Sequence, residues 1–169
     1  IPTHNVAEVC DALSLMVDKP ESTTAQIMKK MVGPDFPTGG VLIDDFDTIV
    51  KNYETGKGAF RIRARWSVEE LDRGMWQVVI TEIPYGIIKS KLVEQIGELI
   101  DAKKLPLVED ISDESTTDVR IVITPKNRNV PADKMMAHLF AMTDLEYRFN
   151  MNFNVIDSNA APRVMGIRD

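Results

Sequence analysis

The fold class is decided by the stretch Gly58-Ala59-Phe60-Arg61-Ile62-Arg63-Ala64-Arg65-Trp66, in which apolar and basic residues alternate. A period of two is typical of a β-strand, whose successive side chains point to opposite faces. Arg61, Arg63 and Arg65 then lie on one face, and the apolar residues between and beside them lie on the other, against a core. The stretch therefore predicts a basic strand with one buried face.

Further predicted strands follow from the same kind of pattern. The alternation covers residues 59–68, residues 75–83 form a second strand, and Asp72-Arg73-Gly74 between them is typical of a hairpin turn. Pro84 ends the second strand. A short buried strand is predicted at residues 41–43, others at 108–111 and 119–124, and a final pair at 145–156 and 162–167.

Apolar residues at helical spacing predict five helices. The first begins near residue 6 and is closed by Pro20, the second runs to about residue 31, the third covers 46–55, the fourth is marked by apolar residues from 92 to 100 and runs to about 104, and the fifth covers about 132–142. Asn5 and Ser22 or Thr23 are suited to cap the first two helices, and Gly56 is suited to end the third. Helices and strands mix without a regular βαβ rhythm and without an internal repeat. The predicted class is therefore α+β, with a mixed, mostly antiparallel sheet and packed helices.

The composition is that of a globular protein. The chain has 169 residues, enough for one domain or one domain with a small appendage, and 44% of them are apolar, too many for a disordered chain. No apolar run approaches the roughly 18–20 residues that cross a bilayer, and there is no signal peptide or lipidation motif. The single cysteine, Cys10, excludes an internal disulfide and suits the cytosol.

The basic strand carries the strongest functional signal. Three like charges at two-residue spacing repel one another, so an anionic partner would stabilise them, and the planar donor fork of arginine suits phosphate. We hypothesise that Arg61, Arg63 and Arg65 bind phosphate. The alternative is a solvated face offset by carboxylates such as Glu69 or Glu82. The net charge of −6 argues mildly against nucleic acid, although the distribution of charge matters more.

A second candidate site is the strand-to-helix turn over residues 84–91. The N-terminus of a helix offers unpaired N–H groups and partial positive charge, which suit a phosphate, and Lys89 and Lys91 would add charge there. The alternative is that both lysines merely face water.

No catalytic or metal-ligating residue is predicted. The acidic residues at 44–47 and 109–114 lack the ligand spacing of a calcium loop, and Gly56-Lys57-Gly58 lacks that of a P-loop. The two histidines and Cys10 show no zinc-ligand spacing. His4 is interpreted as a residue of the helix start and His138 as a structural residue, so no nucleophile, base and orienting group assemble.

Several blocks match a known family in order and spacing: Ile1-Pro2-Thr3-His4-Asn5, Gly33-Pro34-Asp35-Phe36-Pro37-Thr38, residues 56–65, and Glu82-Ile83-Pro84-Tyr85. Together they resemble the A subunits of the bacterial type IIA topoisomerases, DNA gyrase and topoisomerase IV, over essentially the whole chain. Residues 104–110 and 138–146, and Trp66 after the basic strand, look closer to topoisomerase IV.

The resemblance implies a place within the longer polypeptide. Residues 1–30 would be the end of the winged-helix region with connecting helices, and residues 31–169 the tower-like α+β domain. Because the chain opens on Ile1-Pro2 and stops at Arg168-Asp169 without a polar tail, we expect a segment of a longer protein. Ile1 matches the family's wedge isoleucine, which inserts between base pairs and helps bend the gate duplex. Two residues depart from the family pattern, Thr3 at a common proline and Gly86 at a common glutamine, and the second weakens any side-chain contact at the 84–91 turn.

The resemblance also implies that the chemistry lies elsewhere. In the family a winged-helix tyrosine attacks DNA; it precedes Ile1, and Tyr53, Tyr85 and Tyr147 lack its arginine–tyrosine context. The chain alone is therefore expected to be inactive and to bind no cofactor, with magnesium and ATP supplied to the holoenzyme through the B subunit.

The implied partners are duplex DNA, a second A subunit in the heterotetramer, and the B subunit of topoisomerase IV, at the nucleoid in the cytoplasm. Membrane association of the holoenzyme cannot be read from these residues. The predicted DNA-binding residues, taken from the resemblance and the charge pattern together, are Ile1, Arg61, Arg63, Arg65, Lys89 and Lys91.

The leading interpretation is a DNA-binding tower segment that contacts and helps bend gate DNA during ATP-dependent double-strand passage. The alternatives are a segment of the gyrase A subunit, or a mainly structural spacer or interaction module that contacts the B subunit. An independent small enzyme is disfavoured because catalytic motifs are missing. The discriminating feature is whether the three arginines project from an open, anion-accessible sheet face.

Overall fold

A computed structural model describes all residues from Ile1 to Asp169 and confirms the predicted α+β class. The helices are α1 Val6–Asp18, α2 Thr24–Met28, α3 Phe46–Thr55, α4 Lys89–Asp101 and α5 Ala132–Met142. The strands are β1 Val41–Leu42, β2 Lys57–Arg63, β3 Arg65–Glu70, β4 Trp76–Glu82, β5 Val108–Asp113, β6 Ile121–Pro125, β7 Glu146–Asn152, β8 Asn154–Ile156 and β9 Pro162–Val164. No helix is both long enough and apolar enough to span a membrane.

The strands form three sheets. One has the order β1-β2-β7, one the order β3-β4-β6-β5, and the third is the β8-β9 pair. The pairs β3-β4, β4-β6, β5-β6 and β8-β9 are antiparallel. As predicted, Asp72–Gly74 turns the chain between β3 and β4, with Arg73 and Gly74 at φ 61 and 72.

The chain forms two compact units, whereas its length predicted one domain or one with a small appendage. The first unit comprises Ile1–Pro37, Leu42–Arg61 and Arg148–Asp169, and the second comprises Thr38–Val41 and Ile62–Tyr147. Each has its own buried core, that of the first around Tyr53 and Phe60 and that of the second around Ile80 and Ile96. The family-derived boundary after residue 30 concerns a longer polypeptide and stays a prediction.

The helix ends follow the local sequence signals. The Asn5 side chain accepts hydrogen bonds from the N–H groups of Ala7 and Glu8 and so caps α1. Thr23 and Gln26 form a reciprocal capping box on α2. That helix ends at Met28 rather than residue 31, because Lys29 and Lys30 already bond as a tighter turn. Gly56 ends α3 in the left-handed conformation.

Three strand predictions are corrected. The strand expected over residues 145–156 divides at Phe153, whose N–H donates to the Gly56 carbonyl, so β7 and β8 belong to different sheets. The strand expected over residues 59–68 is interrupted at Ala64, whose N–H donates to the Leu145 carbonyl, so β2 and β3 belong to different sheets. Ala64 is nevertheless buried, so buried and exposed side chains continue to alternate at the residue where the strand is interrupted. The 41–43 strand is not fully buried, because Val41 is exposed at the edge of a three-stranded sheet.

Candidate functional site

Arg61 lies in the first unit and is held by one carboxylate. Its Nε donates to Asp44 Oδ1 at 3.0 Å, and its backbone N–H donates to Asp44 Oδ2 at 2.6 Å. The Asp44 side chain is 7% exposed, whereas the Arg61 side chain is 55% exposed. The guanidinium therefore faces solvent while its carboxylate partner lies beneath the surface.

Arg65 lies in the second unit, where Glu82 holds it in a similar way. Arg65 Nε donates to Glu82 Oε2 at 3.0 Å, and the same oxygen accepts the backbone N–H of Gly40 at 2.8 Å. The Gly40 hydrogen bond, followed by that from Arg65, lowers the pKa of the Glu82 carboxyl. The carboxylate is thus fixed by the backbone and stays charged beneath an arginine that is 58% exposed, against 35% for Glu82.

Arg63, also in the second unit, is more enclosed. Its guanidinium lies 4.7 Å from the centre of the Phe140 ring, a cation–π contact. Its Nε is 3.6 Å from Glu146 Oε2 and makes no hydrogen bond. With 40% of its side chain exposed, Arg63 is partly committed to packing.

The two hypotheses for the basic strand thus both find support. Carboxylates do offset the arginines, and Glu82 is one of the two proposed from the sequence; the other, Glu69, accepts instead from Arg120. In each of the three ion pairs, however, the arginine is more exposed than the carboxylate. In each ion pair the guanidinium group is therefore more accessible to solvent than the carboxylate.

The lysines of the 84–91 turn differ from each other. Lys89 begins α4 and lies 3.2 Å from Asp113, so its charge is offset. Hydrogen bonds from Ser115, and then Lys89, lower the pKa of Asp113. Lys91 is exposed, and the N-cap residue Ile88 supplies no side-chain hydrogen bond to the helix start. Of the two lysines, Lys91 is thus the one that is exposed and has no carboxylate within ion-pair distance.

Ile1 is exposed and lies in the first unit. It lines an apolar cavity of about 270 Å³ together with Phe153, Val155 and Ile167. An exposed apolar side chain at this position is compatible with the predicted wedge, which stays a prediction.

No group of three or more His, Cys, Asp or Glu side chains could hold a metal ion. Tyr53 is fully buried, its hydroxyl lies within hydrogen-bond distance of His4 Nε2, and burial raises the pKa of that hydroxyl far above the usual range. His4, predicted as a helix-start residue, also packs edge-on against Tyr53 and Phe153, and burial lowers its pKa.

One cationic residue was missed from the sequence. Arg148 lies on β7 in the first unit and lines a cavity of about 390 Å³ together with Arg61. The sequence predicted a strand there but contained no signal that β7 would lie beside β2.

Comparisons with known proteins agree with the resemblance. The family model for the A subunit of DNA gyrase/topoisomerase IV matches residues 1–169. The A subunit of DNA topoisomerase 4 from Rickettsia bellii is 52% identical over 167 residues, covering 99% of this chain and 23% of that protein. The corresponding Caulobacter vibrioides protein is 48% identical over 168 residues, covering 99% and 22%. The A subunit of DNA gyrase from Granulibacter bethesdensis is 42% identical over 170 residues, covering 100% and 18%. The chain thus spans about a fifth of the length of these relatives.

Proposed function

Since this chain belongs to the family of DNA gyrase/topoisomerase IV A subunits, we propose that it is a DNA-contacting, tower-like segment of a topoisomerase IV A subunit. It contacts the backbone of the gate duplex and helps bend it while the holoenzyme passes a second duplex through the break. The proposed partners are duplex DNA, a second A subunit, and the B subunit, in the cytoplasm at the nucleoid.

The observation that carries this proposal is the outward orientation of the arginines in their ion pairs. Arg61 and Arg65 keep more than half of their side chains exposed although each is bonded through Nε to a less exposed carboxylate. Bonding through Nε leaves the terminal nitrogens of the guanidinium free to donate to phosphate oxygens. Lys91 adds an exposed cation at the start of α4. Contacts of this kind position a duplex without reading its sequence.

The direct test is binding of the chain to a duplex at several salt concentrations. Non-specific affinities lie at about 10⁻⁴–10⁻⁶ M in physiological salt, so titration by fluorescence anisotropy should begin at low salt. We expect log affinity to fall linearly with log salt and to be similar for two unrelated sequences. Absence of binding at low salt would remove the DNA-contacting role.

A second candidate is a spacer or interaction module contacting the B subunit, either in topoisomerase IV or in gyrase. It is favoured by the neutralisation of Arg61, Arg63 and Arg65, each of which has a carboxylate within ion-pair distance. In that case DNA binding would be weak, and the arginines would contribute only to local stability.

The proposal assigns cleavage to residues outside this chain and assigns magnesium and ATP to the B subunit. We therefore expect the chain, mixed with the B subunit of a relative, magnesium, ATP and supercoiled plasmid, to form no covalent protein–DNA adduct. The measurement is denaturing gel electrophoresis of labelled plasmid after quenching. The same mixture with a relative's complete A subunit is the positive control, and an adduct involving Tyr53, Tyr85 or Tyr147 would contradict the assignment.

A further inference from the structure

The first unit carries a surface cavity that is lined by two arginines. Its volume is about 390 Å³, and its lining combines the exposed side of α3 with parts of β2 and β7. The lining residues are Asp44, Thr48, Asn52, Gly58, Ala59, Arg61 and Arg148. Two of these residues are cationic and one is anionic, and the neighbouring Asp45 also interacts electrostatically with Arg61. The case for a phosphate ligand therefore rests on the two exposed guanidinium groups.

Asp44 holds Arg61 in place without covering it. Both carboxylate oxygens are used, one by the backbone N–H and the other by Nε of Arg61. Because the Asp44 side chain is only 7% exposed, its negative charge lies behind the arginine. The two terminal nitrogens of Arg61 make no hydrogen bond within the chain and can donate together to one phosphate.

Arg148 supplies the second donor fork. It is exposed on β7, the strand beside β2, and its guanidinium forms no ion pair. The wall formed by Asn52, Gly58 and Ala59 is closely packed: Asn52 donates to the Ala59 carbonyl at 3.0 Å, and its amide occupies the space that a Cβ at Gly58 would need. A side chain at Gly58 would therefore disturb the wall of this cavity.

We propose that Arg61 and Arg148 form a phosphate-binding subsite, with Asp44 as the residue that positions Arg61. The ligand is a phosphate group, either of the DNA backbone or of a free phosphate anion. Only the first source rests on the proposed function. Arg148 would then be a DNA contact additional to those that the charge pattern predicts.

The test compares Arg148→Gln, Arg148→Lys and a control, Arg163→Gln, in the complete 169-residue chain. Arg163 lies in the same unit and is also exposed, but it lies outside the cavity, and a terminal nitrogen of its guanidinium, rather than Nε, donates to Asp157. In the DNA arm, removal of one phosphate contact should flatten the slope of log affinity against log salt by about 0.9 for Arg148→Gln. Arg148→Lys should retain the slope, because it keeps the charge, and Arg163→Gln should leave it unchanged.

The second arm uses inorganic phosphate at constant ionic strength, followed by amide shifts of residues 58–61 and 148 in NMR spectra. We expect saturable shifts with wild type, weakened at least roughly tenfold by Arg148→Gln, the effect expected when a charged hydrogen-bond partner is removed. Shifts without any duplex binding would identify a free anion as the ligand and overturn the proposed function while the subsite stands. Duplex binding that Arg148→Gln leaves unchanged, without phosphate shifts, would overturn the subsite alone.

Phosphate binding by the Asp44→Asn variant distinguishes a positioning role of Asp44 from a purely electrostatic one. Removing a negative charge from the cavity would strengthen phosphate binding if Asp44 acted only electrostatically. A positioning role predicts the opposite sign, because asparagine has an NH2 donor in place of one of the two carboxylate oxygens that accept from Arg61. Weaker phosphate binding in a variant with an unchanged thermal transition supports the role, and tighter binding contradicts it.

Discussion

Replacing Gly56 with alanine is expected to destabilise the first unit by about 3–5 kcal/mol, the sum of a strained backbone and a steric collision. Gly56 ends α3 at φ 69 and ψ 8, a left-handed conformation that costs alanine free energy. A Cβ there would also collide with the Met165 carbonyl oxygen and lie 2.8 Å from its carbon. The Met165 segment cannot simply move away, because the Met165 N–H donates to the Phe153 carbonyl at 3.2 Å and the Ile167 N–H donates to the Tyr53 carbonyl at 2.8 Å.

Gly74→Ala is the matched control for this prediction. Gly74 has nearly the same φ, 72, but a Cβ there meets nothing within 4 Å. Its substitution should cost only the conformational part, about 1–2 kcal/mol. Each variant is measured in its own unit. Hydrogen exchange of the Phe153 and Ile167 amides, whose acceptors are Gly56 and Tyr53, reports the opening free energy of the first unit for Gly56→Ala, and exchange of the Ala64 amide, whose acceptor is Leu145, reports that of the second unit for Gly74→Ala. Equal destabilisation in the two variants would show that the collision with Met165 is relieved at little cost.

Replacing Arg61, Arg63 and Arg65 together with glutamine is expected to weaken duplex binding by roughly 500-fold near about 0.1 M salt if all three contact phosphate, and by less if fewer contacts form. Each contact changes the slope of log affinity against log salt by about 0.9, and this difference accumulates over the decade from about 1 M to about 0.1 M salt. Arg61 and Arg65 should account for most of the weakening, because Arg63 is partly committed to Phe140. Glutamine retains a polar side chain of moderate length, so folding should be preserved. A variant with Arg73, Arg128 and Arg163 replaced by glutamine loses the same total charge at other exposed positions and is the matched control.

The parts of the fold that depend on short-range chemistry were predictable. Phe60, Ile62 and Ala64 are all buried, as their alternation with the arginines indicated. Asn5 and Thr23 cap helices because a cap is formed with residues two or three positions away. Gly56 was predictable for the same reason, since a left-handed helix end favours glycine.

The parts that depend on tertiary contacts were not predictable. The interruption at Ala64 arises from a hydrogen bond to Leu145, far along the chain, and leaves the local pattern unaltered. The formation of two cores also follows from which segments meet, which periodicity does not encode.

The candidate site shows the same division. The exposed arginines were found from spacing, but the pairing of Arg61 with Asp44 depends on how the segment before α3 returns to β2. Arg148 was missed because a single arginine on a predicted strand has no distinguishing local pattern. Arg148 and Arg61 line the same cavity only because β7 lies beside β2 in the sheet, and the local sequence does not encode that strand order.

The central claim is that outward-facing arginines of this chain neutralise DNA phosphates, and the salt dependence of duplex affinity tests it most directly. For the variant with Arg61, Arg63 and Arg65 replaced, the slope of log affinity against log salt should be shallower than that of wild type by about 2–3, since each phosphate that is no longer neutralised contributes about 0.9. The control variant with Arg73, Arg128 and Arg163 replaced should keep the wild-type slope. An unchanged slope in a well-folded Arg61, Arg63 and Arg65 variant would contradict the claim and favour a spacer whose arginines serve only its internal ion pairs.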